Sequence, residues 1–144
     1  MNQNSKILIS VISDDTSINQ RHDLIALLQE TGLEVTDMGY LPVRGSRHGE
    51  IEAALTSRFD NIRRNKRSNE LIAAVSHTGT SFSMYINKIP NETCVAQFQD
   101  SDLVEVRSLG ATAIEISVDS DPKLVAELLV EFILGQFPGF NAIE

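Results

Sequence analysis

Lys6-Ile7-Leu8-Ile9-Ser10-Val11-Ile12 is a short, apolar, β-branched run, and it predicts a buried strand. Asp14, Asp15, Thr16 and Ser17 follow, all residue types suited to capping a helix start. From Ile18 to Glu30, apolar residues at Leu24, Ile25, Leu27 and Leu28 predict a helix that Gly32 ends. Leu33 to Met38 reads as a second strand, and Tyr40 to Arg47, with Pro42 and Gly45, as a loop. Ile51, Leu55, Phe59 and Ile62 recur at helical spacing, so a helix covers about His48 to Lys66. Glu70 to Val75 is a third strand, and Ser76 to Ser81 a polar turn leading into helical turns from Phe82 to Asn87. Thr93 to Phe98 is a fourth strand, Leu103 and Val106 mark a short helix, and Ala111 to Val118 is a fifth strand. Pro122 sits in the first turn of a last helix, where its missing N–H costs least. Leu124, Leu128 and Phe132, with Val125, Leu129 and Ile133, give that helix a wide apolar face.

Strands alternating with helices predict one domain over residues 1–144. Its fold class is α/β, a three-layer, doubly wound, parallel five-stranded sheet covered on both faces. In such sheets ligands bind beyond the carboxyl ends of the strands. That rule selects two loops, Ser13 to Ser17 and Ser76 to Ser81.

Charge and composition narrow the classes. The 144 residues carry a formal net charge of −8, which argues against a broad nucleic-acid surface. Arg58, Arg63, Arg64, Lys66 and Arg67 are a local basic exception, read as the solvated end of a helix. No apolar run approaches the ~20 residues of a membrane span, so no membrane partner is expected. The polar start, Met1 to Lys6, does not read as a signal peptide. The single cysteine, Cys94, excludes an internal disulfide and a cysteine metal cage, and it reads as a small buried hydrophobe. His22 and His48 lack metal-like neighbours in sequence, so neither a metal nor a cofactor is expected. These features together point to a cytoplasmic protein.

The second loop carries the most chemistry. Ser76, Thr78, Thr80, Ser81 and Ser83 surround Gly79 directly before a helix. Backbone N–H groups in such a turn can hold a phosphate, a carboxylate or an enediolate oxygen. The glycines and lysine of a P-loop or dinucleotide fingerprint are missing. Asp14 and Asp15 at the end of the first strand suit sugar hydroxyls, general-base work or helix capping. His77, inside the turn, suits proton transfer near neutral pH or a plain surface role.

Several blocks carry a family resemblance. Ser13-Asp14-Asp15 resembles the Ser-Asp-His that opens the ribose-5-phosphate isomerase B / galactose-6-phosphate isomerase family. Leu33 to Gly39 is similar to its second strand, and Leu109-Gly110-Ala111 to the segment before its last strand. Ala74 to Pro90 resembles its cysteine-bearing glycine loop, following helix and Asn-Lys-x-Pro ending. The resemblance implies a flavodoxin-like sheet and a homodimer. It also implies aldose–ketose isomerisation of a phosphorylated sugar, or binding of a similar small anion, through an enediolate without metal. Carried onto this chain, Ser76 or His77 would take the place of the catalytic base. Asp14, Asp15, Thr78, Gly79, Thr80, Ser81, Ser83 and Asn87 take the substrate-binding ones.

The departures concern the chemistry. Ser76 stands where many members carry the catalytic cysteine, and Phe82 where serine-bearing members place a glutamate. Asp15 replaces a histidine, His77 and Ser81 replace two glycines, and Thr112 replaces an arginine. The His-Asn-x-Ala-Asn stretch is missing, and Phe137 to Asn141 replaces the arginine-bearing tail. Arg44, Arg47 and Lys88 are the remaining candidates for a phosphate. Two expectations follow: a divergent sugar-phosphate isomerase, or a catalytically inactive relative acting as a ligand-binding, regulatory or partner-subunit protein.

Overall fold

The chain begins with β1 (Leu8–Asp14), α1 (Ile18–Glu30), β2 (Glu34–Leu41), a single 3-10 turn (Val43–Gly45) and α2 (His48–Arg64). It continues through β3 (Glu70–Ser76), α3 (Ser83–Ile86), β4 (Cys94–Val95), α4 (Leu103–Ser108), β5 (Ala113–Ser117) and α5 (Pro122–Gln136). This is a computed structural model, and it describes residues 8–64, 70–98 and 103–136. The expected start of β1 at Lys6, the basic Lys66 and Arg67, and the terminal Phe137 to Asn141 lie outside the described residues.

All strand pairs are parallel, in the order β2-β1-β3-β5-β4. The doubly wound parallel sheet is therefore as the alternation predicts. Its outer order differs from the simple progression 2-1-3-4-5, because β5 enters the sheet beside β3 and leaves β4 at the edge. Every residue of β1 is buried, as is every residue of β3 after Glu70, which follows from helices covering both faces. Side chains of β3 divide by alternation. Leu71, Ala73 and Val75 pack with Leu24 and Leu28 of α1 and Val125, Leu129 and Phe132 of α5. Ile72 and Ala74 pack with Ile51, Leu55 and Phe59 of α2 and Tyr85 and Ile86 of α3. Two apolar cores thus hold one sheet between two helical layers. No helix among the described residues is long and apolar enough to cross a membrane.

Two boundaries differ from the periodicity for physical reasons. β2 continues to Leu41, into the expected loop, because Tyr40 and Leu41 pair with Ser13 and Asp14 beyond a register shift. Gly39, at φ +78°, takes up the extra residue of that bulge. β4 is only two residues long. At Gln97 the chain turns with φ +51°, and the Gln97 N–H donates to the Gly79 carbonyl (3.0 Å) instead of continuing a strand.

Candidate functional site

The register brings the carboxyl ends of β1, β3 and β5 level, with Ser13 beside Val75 and Ser76 beside Ser117. The two loops selected from the sequence meet there. The turn after β3 bends through Gly79 at φ +80°, a conformation that side chains other than glycine's strain to adopt. A Cβ on Gly79 would also lie 3.1 Å from the Ser117 backbone nitrogen. The Val118 N–H donates to the Ser76 carbonyl (2.8 Å), which binds the turn after β5 to the turn after β3.

Asp14 joins the loops. Its side chain is 1% exposed, and one carboxylate oxygen accepts from the Thr16 N–H (3.1 Å) and hydroxyl (3.0 Å). The other accepts from the His77 N–H (2.9 Å). Asp14 therefore ties the first loop to the second and does not act as the N-cap of α1, which falls at Ser17. Asp15, His77, Thr78 and Thr80 are exposed and Ser81 is half-buried, so these five form the accessible rim. The Thr78 hydroxyl lies 2.8 Å from that of Thr80 and 3.4 Å from that of Ser81.

Beneath the rim the picture changes. Ser76 is fully buried; its hydroxyl donates to Glu115 and accepts from the Gly79 N–H (2.9 Å). Glu115, in the middle of β5, is also fully buried. Its carboxylate further accepts from the Phe82 N–H (2.9 and 3.0 Å), the Ser83 N–H (2.7 Å) and the Ser83 hydroxyl (2.7 Å). Ser83 lies 3.4 Å from the Cys94 sulfur, and burial foremost, with the charges of Glu115 and Glu92 adding, pushes that thiol up to about 12. Asn87 faces the sheet edge: its carbonyl accepts from the Cys94 N–H (2.8 Å) and its amide donates to the Cys94 carbonyl (3.2 Å). Of the residues singled out from the sequence, Asp14, Ser76, Gly79 and Ser83 are thus internal, Asn87 clamps β4, and five form the rim.

Two residues were missed. Glu115 was legible as a charged residue between Ile114 and Ile116 in a strand expected to be buried. Arg21 had no such signal, because it looks like any polar residue of an amphipathic helix. It is nevertheless buried, donating to the Ser13 hydroxyl (2.8 Å), pairing with Asp37 (3.0 Å) and contacting the His22 ring (3.1 Å). That guanidinium, beneath the end of β1, is thus already engaged by a carboxylate. Lys88 lines a groove of about 260 Å³ between α2 and α3, with Glu52, Thr56, Asp60 and Tyr85, which the turn residues 76–81 do not line. Among the described residues no group of three His, Cys, Asp or Glu side chains could hold a metal ion.

No family profile matches the sequence, and no curated protein matches it. The fold does match solved structures. Ribose-5-phosphate isomerase B from Giardia lamblia superposes with a TM-score of 0.63 at 20% identity, over 94% of this chain and 89% of that one. The Anaplasma phagocytophilum ribose 5-phosphate isomerase B gives 0.66 at 19% identity, over 92% and 88%. The Mycoplasma genitalium enzyme, solved with bound ribulose 5-phosphate, gives 0.61 at 15% identity, over 96% and 87%. The class the architecture defines is thus an α/β domain with the ribose-5-phosphate isomerase B fold. At these identities the likeness is one of fold, and its agreement with the sequence blocks lies in the order of elements.

Proposed function

We propose that this chain is a divergent relative of the sugar-phosphate isomerases that binds a small polyhydroxylated or anionic ligand at the rim of the 76–81 turn without interconverting aldose and ketose. The observation that carries this reading is Ser76. Enolisation needs a base whose heavy atom comes within hydrogen-bond reach, about 2.6–3.2 Å, of the atom that gives up its proton. The Ser76 hydroxyl is fully buried, points its proton at Glu115 and accepts from Gly79. Ligand binding draws support from the rim, where Asp15, His77, Thr78 and Thr80 present hydroxyl, carboxylate and imidazole groups to solvent at the strand ends.

A second reading, an active isomerase with His77 as base, is favoured by the exposure of His77 on a turn held in place by Asp14. One experiment separates the two. Protein is incubated with ribose 5-phosphate or allose 6-phosphate and followed by NMR, in parallel with thermal-shift titrations of pentose and hexose phosphates and the corresponding free sugars. The expected result is a saturable rise in melting temperature without ketose formation. Turnover that His77→Ala abolishes would establish the second reading, and no shift with any compound would remove the sugar ligand altogether. The proposal includes a cytoplasmic homodimer, for which light scattering should give twice the chain mass of 15.9 kDa.

A further inference from the structure

We infer that Glu115 is a positioning residue: an intramolecular anion that sets the conformation of the 76–83 segment and keeps the Ser76 hydroxyl turned inward. Four donors converge on one carboxylate, namely the Ser76 hydroxyl, the Phe82 N–H, the Ser83 N–H and the Ser83 hydroxyl. An ionised carboxylate offers about four acceptor sites, so the set is complete. Glu115 is 0% exposed, as are Ser76 and Phe82, while Ser83 is 8% exposed. A buried carboxylate without such partners would be strongly disfavoured, and the same donors without the carboxylate would be left unsatisfied.

Proton counting gives the cluster a direction. The Ser76 hydroxyl has one proton, which goes to Glu115, so it can only accept from Gly79. The Ser83 hydroxyl likewise gives its proton to Glu115, so towards Cys94 it is the acceptor and the thiol the donor. The chain of bonds runs from Gly79 through Ser76 to Glu115, and from Cys94 through Ser83 to Glu115. The Gly79 amide, at the apex of the turn, is thereby directed inward. Glu115 is too deep to touch a ligand on that rim and acts through the turn.

This inference goes beyond the proposed function and does not depend on a sugar ligand. Its test compares wild type with Glu115→Ala and Glu115→Gln, using amide hydrogen exchange at Gly79, Phe82 and Ser83 and thermal melts with added formate, with chloride at equal ionic strength as the control. In Glu115→Ala, protection of the Phe82 and Ser83 amides should fall at least about tenfold, since hydrogen bonds to charged groups are the stronger ones. Formate should restore protection and melting temperature saturably in that variant, with no such effect of chloride and none of formate on wild type. A purely space-filling role would give no formate-specific recovery. If Glu115→Ala does not fold, Glu115→Gln carries the test: it keeps the shape but loses the charge, and exchange at Phe82 and Ser83 should quicken. Unchanged exchange in Glu115→Gln, or a folded Glu115→Ala that formate leaves unaffected, overturns the inference.

Discussion

Gly79 carries two independent constraints, and they act in the same direction. Its φ of +80° costs a residue with a Cβ about 1–3 kcal/mol, and the added atom would press on the Ser117 backbone at 3.1 Å. Gly79→Ala should therefore lower unfolding free energy by at least that amount in urea titrations; a change under about half a kcal/mol would mean the turn relaxes freely. Cys94 behaves differently from a reactive thiol. With its pKa pushed up to about 12 it stays protonated and buried, so native protein at pH 8 should resist a thiol reagent that labels unfolded protein at once. The stability consequence has a definite sign. Above the ordinary thiol value of ~8.5 the unfolded chain loses this proton while the folded chain keeps it. Unfolding is then favoured, by about 1.4 kcal/mol per pH unit up to the folded value of about 12. Cys94→Ala should show a shallower loss of stability over that window, and parallel curves would contradict the assignment.

At the scale of elements, β4 is held in part by side chains. Two residues of backbone pairing with β5 are supplemented by the Asn87 amide, which bonds both the N–H and the carbonyl of Cys94. Removing it in Asn87→Ala should cost roughly 1–2 kcal/mol, about the sum of two ordinary hydrogen bonds, and should quicken exchange of the Cys94 amide before that of β1. Unaltered exchange at Cys94 would show that the Thr93–Thr112 contacts suffice to hold the edge. The long, strongly patterned elements were legible: α1 has the expected bounds, α2 has the expected start, and β1 and β3 are buried as their apolar runs require. The ends of β2 and β4 were not, because a bulge at Gly39 and a long-range bond from Gln97 to Gly79 set them.

At the scale of the whole molecule, a sheet with the fold of ribose-5-phosphate isomerase B carries Asp15, His77, Thr78, Thr80 and Ser81 at its crest. The proposed absence of turnover belongs to this scale, because it depends on three strands and their turns closing around Ser76 and on no single substitution. The sequence by itself determined the alternation of strands and helices and the two crest loops, and it holds Ser76, Phe82 and Thr112 where the resemblance leads one to expect a cysteine, a glutamate and an arginine. It did so because periodicity, turn chemistry and residue identity are local properties. Tertiary structure alone decided which crest residues face solvent. Asp14 reads in sequence as a substrate-binding or helix-capping carboxylate and Ser76 as a catalytic candidate; in the structure the first binds the loops together and the second lies beneath them. It also placed Glu115 within reach of residues 32 to 39 positions earlier in the chain. Pairing of β5 beside β3 creates that contact, and no local pattern encodes a hydrogen bond between residues so far apart.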